Sequence, residues 1–178
     1  MLIRDHRVIE RILPVLEEAA LRLEKGRSLD PDIFPGIIEF LEVFADRCHH
    51  ALEESELFPA LGEAGVDTER GLVADLTQEH KAMRILVGKM ATLWKDFSEE
   101  EAGTRIGASV RVFARILPMH IEKEDRICFP MADDALSAEQ QELLQASHEE
   151  IVSREPCRGA YDRYRAMIGE LEERLEID

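Results

Sequence analysis

The chain uses one eleven-residue unit twice, and this repeat limits what it can fold into more than any other feature. His49-His50-Ala51-Leu52-Glu53-Glu54-Ser55-Glu56-Leu57-Phe58-Pro59 aligns with His120-Ile121-Glu122-Lys123-Glu124-Asp125-Arg126-Ile127-Cys128-Phe129-Pro130. Both copies read H-x-x-x-E-[E/D], then an apolar position and Phe-Pro. Upstream of each lies another His between an acid and a base, in Asp5-His6-Arg7 and in Glu79-His80-Lys81. Each half therefore offers two imidazoles and a carboxylate. A two-metal site inside a helical bundle needs such duplicated ligand sets, facing each other.

Apolar residues at helical spacing predict four long helices. The first runs over about residues 3–25 on the stripe His6, Ile9, Leu13, Leu16, Ala20, Leu23, with Pro14 inside it and Gly26 as its stop. The second follows Asp30 with Pro31 at the favoured first position; its stripe is Phe34, Ile37, Ile38, Leu41, Ala45, Cys48, His49, Leu52, Glu53. It is expected to end near Phe58-Pro59, with Gly62 and Gly65 in the loop. The third begins near Thr68 and carries Val73, Leu76, His80, Met83, Val87, Met90, Trp94 and Phe97. Ser98 with Glu101 reads as a capping box for the fourth. That stripe is Ile106, Val110, Phe113, Leu117, His120, Glu124, Ile127, with Pro118 inside the helix. A fifth segment starts at Ser137, capped with Gln140, and breaks near Pro156. A last stretch carries Tyr161, Tyr164, Ile168, Leu171 and Leu175.

Few aromatics and few alternating β-branched runs argue against sheet. A chain of 178 residues suits one domain. The predicted architecture is all-α: an up-down-up-down four-helix bundle over residues 1–131, with one or two extra helices over 132–178. That extension is expected to pack on the same domain, and residues 137–178 are also the expected surface for a protein partner or a second copy.

Depth decides whether the polar stripe residues can meet. His6 lies 22 residues before a turn near Ser28 and His49 lies 21 after it; His80 and His120 each lie 20 from a turn near Glu100. At a helical rise of about 1.5 Å per residue, all four sit roughly 30 Å from their own turns. Antiparallel packing brings them to one level. Glu53 and Glu124 follow one turn further along the same faces. Two carboxylates buried without partners would each cost several kcal/mol, which cations between them would offset. The expected metal ligands are therefore His6, His49, Glu53, His80, His120 and Glu124. Imidazoles with carboxylates suit iron, manganese or zinc, and the absence of a thiolate cluster argues against structural zinc. Two six-coordinate metals offer twelve positions. Four imidazoles, two bridging carboxylates and a bridging oxide or hydroxide leave about two open, enough for small-molecule chemistry.

These motifs resemble the hemerythrin-like family, the HHE cation-binding domain, over about residues 3–131. The resemblance implies a four-helix bundle holding two iron ions in an oxo-bridged, non-haem centre. It also implies binding or sensing of dioxygen, nitric oxide or peroxide. Peroxide consumption by the same centre, or a metal-dependent interaction or iron-sensing module, are the alternatives. The chain departs from oxygen-carrying members: Arg84 stands where they have a second His four residues after the helix 3 ligand. Asp125 keeps the spacing of their helix 4 Asp, but the repeat favours Glu124. Reversible oxygen carriage is therefore not expected, and no catalytic residue is assigned.

The remaining polar residues are given lesser roles. On an α-helix His50 points about 100° away from His49, so it is expected at the surface or behind the ligands. His148 is expected at a packed interface, Cys128 as an apolar cap, and Glu54 and Asp125 as solvated acids or partners of the ligands. The net charge of −16 argues against nucleic acid and anionic lipid. No apolar run is long enough to cross a membrane. The first residues enter a charged helical pattern, so no signal peptide is expected. Three cysteines, Cys48, Cys128 and Cys157, lack framework spacing, and reduced thiols in the cytoplasm are the expectation.

Overall fold

The computed structural model describes residues 2–96 and 101–177. The expected Ser98 cap and the Phe97 end of the third stripe lie outside the described residues. Helix α1 spans Leu2–Glu24, with Pro14 inside it. The second long helix is composite. It starts as α2 (Ile33–Phe40), widens into a π-helical stretch over Leu41–His50 and another over Glu53–Leu57, then continues as α3 (Phe58–Glu63). Helix α4 spans Leu72–Lys95. Helix α5 (Ala102–Lys123) passes through a π-helical turn at Glu124–Cys128 into α6 (Phe129–Ala135). Helices α7 (Ala138–Ser153) and α8 (Ala160–Leu175) complete the chain.

The all-α bundle is thus observed. Helix α1 packs on α2 and α5, and α4 packs on α5 and α2, which closes the four-membered ring. Gly103 sets the α1–α5 spacing: a Cβ there would lie 2.5 Å from the Leu23 carbonyl oxygen. The Ser137–Gln140 capping box is present at the start of α7.

Three expectations are corrected. The second helix does not stop at Phe58-Pro59, and the same continuation occurs at Phe129-Pro130. Proline lacks the N–H that an α-helix needs. Each Pro falls just after a π-helical turn, where the hydrogen-bond register returns from i→i+5 to i→i+4. The extra turns build a second, smaller apolar core of Leu57, Phe58, Leu61, Val73, Leu76, Cys128, Ala132 and Leu136. Ile127, expected on the buried stripe, is 54% exposed, and Cys128 is buried in its place. The wider turn at Glu124–Cys128 advances each side chain by fewer degrees, so the inward position slips by one residue.

The third correction concerns the thiols. Cys48 and Cys157 form a disulfide that ties the second helix to the α7–α8 connection, and only Cys128 is free. Helix α8 joins the main core through Tyr164, Ile168, Leu171 and Leu175. Arg11 pairs with Glu172, and Arg22 donates to the Leu175 carbonyl. No helix among the described residues is long and apolar enough to cross a membrane.

Candidate metal centre

Between the two apolar cores lies a buried polar layer. All six sequence-predicted ligands are at most 1% exposed, and the structure brings them together. Ligand atoms of His6, His49, Glu53 and Glu124 lie within 4.8 Å of one another. A second group of the same tightness contains His80 and His120, with His50 as its third member.

The two carboxylates lie between the groups. Glu124 Oε2 is 3.1 Å from His6 Nε2, while its Oε1 is 3.1 Å from His120 Nε2 and 3.6 Å from His80 Nε2. Glu53 Oε1 is 3.6 Å from His49 Nε2, and its Oε2 is 3.5 Å from His80 Nε2. Each carboxylate therefore presents one oxygen to each group, the arrangement of a bridge. None of the four oxygens has an aligned hydrogen-bond donor.

Outer acids hydrogen-bond three of the imidazoles and lie near the other two. His6 Nδ1 donates to Asp125 (2.7 Å), His80 Nδ1 to Glu54 (2.8 Å) and His120 Nδ1 to Glu79 (3.0 Å). Asp5 lies 3.8 Å from His49 Nδ1, and Asp46 lies 3.5 Å from His50 Nδ1. A carboxylate only accepts, so each donating ring carries a proton on Nδ1, and in the neutral form that can bind a metal it turns the Nε2 lone pair inward. The Nε2 atoms of His80 and His120 converge at 3.0 Å. Arg7 holds Asp125, Lys123 holds Glu79, and Arg84 holds Glu54 (2.9 Å) and Asp46 (2.6 Å).

The repeat explains the layout. Asp125 of the second copy holds His6 of the first, and Glu54 of the first holds His80 of the second. The Phe-Pro phenylalanines cross in the same way: Phe129 stacks on His6 and Phe58 on His80. The π-helical turns Glu53–Leu57 and Glu124–Cys128 occupy equivalent places. Such turns recur at functional sites because they re-aim side chains.

His50 corrects the sequence expectation. It is 4% exposed and stacks on His80 with ring centroids 3.9 Å apart. The π-helical stretch Leu41–His50 narrows the angle between neighbouring residues. His49 thereby faces the first group and His50 the second. A His-His pair is an available signal, but uniform α-helical geometry sends its second member outward. An apolar cleft of about 270 Å³, walled by Leu41, Ala45, Met83, Val87, Phe113 and Leu117, reaches His50, with Asp46 and Arg84 among its lining.

The electrostatics without a cation are those of a strained site. Burial, reinforced by Glu124, pushes the Glu53 carboxyl well above the usual carboxylate range. Burial would do the same to Glu124, but the imidazoles of His120, His6 and His80 outweigh it and hold Glu124 well below that range. Burial and then the neighbouring ring of His80 push His50 well below the ordinary imidazole value. Burial pushes the Cys128 thiol up to about 12, so it stays protonated as an apolar cap. His148 is buried on α7 with an unpaired Nδ1 and belongs to neither group.

Unpaired buried carboxylate oxygens and inward lone pairs fit divalent or trivalent cations by charge, donor type and placement. Fold and site together define a helical-bundle metal-binding protein. Residues 1–132 match the hemerythrin HHE cation-binding domain, and the chain belongs to that family. Among curated proteins it is similar to the uncharacterized protein Rv1995 of Mycobacterium tuberculosis (strain ATCC 25618 / H37Rv), with 27% identity over 139 residues. The uncharacterized protein Mb2018 of Mycobacterium bovis matches equally. These matches cover 77% of this chain and 54% of each relative, so the chain spans about half the length of the curated relatives it matches. No solved structure matches the chain.

Proposed function

We propose that the chain holds two iron ions and uses them to bind or sense a small molecule such as dioxygen, nitric oxide or peroxide. His6 and His49 would ligate one metal. His80 and His120, joined by His50, would ligate the other, and Glu53 and Glu124 would bridge them. One observation carries this: four carboxylate oxygens, buried and unpaired, each facing an imidazole group. A pair of redox-active metals in this place supplies small-molecule binding or two-electron chemistry.

The protein's own groups set what that chemistry can be. Asp125, Glu54 and Glu79 fix which nitrogen of His6, His80 and His120 faces inward. Two carboxylates neutralise half the charge of a ferrous pair, and the positive charge that remains favours taking up a small anion or a polarisable neutral molecule. The Phe58 and Phe129 rings and the second apolar core exclude water from one side. Five imidazoles divide as two and three, so a metal held by His6 and His49 would have fewer protein ligands and would be the one to take up a small molecule. That asymmetry favours a single bound small molecule at one end of the pair.

Anaerobic loading with ferrous iron, followed by separate mixing with nitric oxide, dioxygen and hydrogen peroxide, tests the reading. A stable new absorption band with one equivalent of gas supports binding or sensing. Multiple turnovers of peroxide without a persistent band would replace it with a peroxide-consuming enzyme. Iron uptake followed by no spectral response to any of the three would refute both.

A further inference from the structure

The two halves of the site are near copies, so the places where they differ are informative. Superposing the repeat sets Asp46 against Leu117, His50 against Ile121, and Arg84 against Glu10. The first-half Asp46 and His50 and the second-half Arg84 are in contact with one another's surroundings rather than scattered. Asp46 Oδ1 is 3.5 Å from His50 Nδ1 and 2.6 Å from Arg84 Nε. Arg84 also reaches Glu54 Oε1 at 2.9 Å, and that same oxygen accepts from His80 Nδ1 at 2.8 Å. Leu117 and Ile121, the counterparts of Asp46 and His50, are buried apolar residues. Glu10, the counterpart of Arg84, turns to Arg7 instead.

We infer that Arg84 is a positioning residue that makes the two metal positions unequal. It spans two acids, Glu54, which accepts from His80 Nδ1, and Asp46, whose Oδ1 lies 3.5 Å from His50 Nδ1, and so stands behind both rings of a stacked pair. This inference rests on the proposed metal site and adds a role that the ligand set alone does not give. Its chemistry suits arginine. The planar guanidinium presents several donors at fixed angles, so it can hold two carboxylates together, whereas a lysine ammonium is a point charge on a flexible stem. The side chain is 35% exposed and lies in the lining of the cleft that reaches His50. Without the clamp, Asp46 and Glu54 are free to turn to solvent; His80 then loses the partner that sets its tautomer and aim, and His50 loses the acid beside its Nδ1. His6 is oriented by Asp125, His49 has Asp5 at 3.8 Å from its Nδ1, and neither ring depends on Arg84.

The test is anaerobic ferrous titration of the full chain, counting iron retained and following far-UV circular dichroism. In Arg84→Leu the first iron is expected to bind as in the unaltered protein. The affinity for the second should fall about 10- to 100-fold, the usual loss when a ligand's orienting partner is removed. Asp46→Asn should fall in the same direction, and Arg84→Lys, which reaches one acid, should recover part of the loss. Two irons bound by Arg84→Leu at unaltered affinity would overturn the inference while leaving the metal site intact. So would equal loss of both irons with reduced stability of the metal-free variant, which marks a general packing role. If Arg84→Leu fails to fold, Asp46→Asn and Arg84→Lys decide the matter by the same measurement. No iron uptake by the unaltered chain would remove the proposed function and this inference together.

Discussion

Replacing Glu53 with methionine should separate the needs of the fold from the needs of the site. Glu53 is fully buried, neither of its oxygens is satisfied, and burial with the nearby Glu124 pushes its carboxyl well above the ordinary range. In the metal-free protein this group opposes folding. Exchanging a buried ionic group for an apolar one of similar volume stabilises proteins by about 1–4 kcal/mol. At this chain length each kcal/mol moves the melting temperature by about 2–4 °C, so a gain of about 2 kcal/mol is a rise of about 4–8 °C. The pH dependence has a definite sign. A carboxyl raised in the folded state costs nothing below its unfolded value of 4.5 and costs progressively more as pH rises towards the folded value. The advantage of Glu53→Met should therefore grow over that window. With iron present the order reverses, because a ligand at 100 times its Kd contributes about 2.7 kcal/mol to the protein that binds it. Calorimetry of chelator-treated and iron-loaded samples across pH reads all three effects. A metal-free Glu53→Met less stable than its parent would refute the claim that this carboxylate is kept for a cation.

Other expectations follow from single contacts. His80→Ala removes an inward nitrogen shared with both carboxylates, so it should lose at least one metal and lower the melting temperature of the loaded protein; metal analysis showing two full equivalents would reject the assignment. Cys157→Ser opens a covalent loop across 109 residues, which on loop-closure entropy should cost about 5 kcal/mol, read as a lower urea midpoint that matches the reduced parent. Gly103→Ala drives a methyl to 2.5 Å from the Leu23 carbonyl oxygen and should destabilise by about 1–3 kcal/mol in thermal unfolding, with metal content unchanged.

Much of this site was legible in the sequence because helical periodicity is strict. Candidate ligands recurring four residues apart on apolar stripes, at equal depth from two turns, had to meet in an antiparallel bundle. The outer acids Glu54 and Asp125 were legible for the same reason, since each follows a candidate bridging carboxylate in the repeat. His50 was not, because assigning its direction requires knowing that the helix widens at Leu41–His50. Ile127 and Cys128 exchange places through the same effect one copy later. Local hydrogen-bond register leaves little trace in composition, and one extra residue per turn is enough to swap a buried face for an exposed one. The Cys48–Cys157 bond escaped for another reason: nothing in spacing brings a residue in the α7–α8 connection beside the second helix. Only the packing of α8 along α1 does that.

The central claim is that two metals share one buried pair of carboxylates. Metal analysis of the full chain after anaerobic iron loading and removal of excess tests it most directly. Two irons per chain, falling to one or none in Glu53→Met and Glu124→Met, is the predicted result. A chain that retains no iron, or that retains two after both carboxylates are replaced, would contradict it.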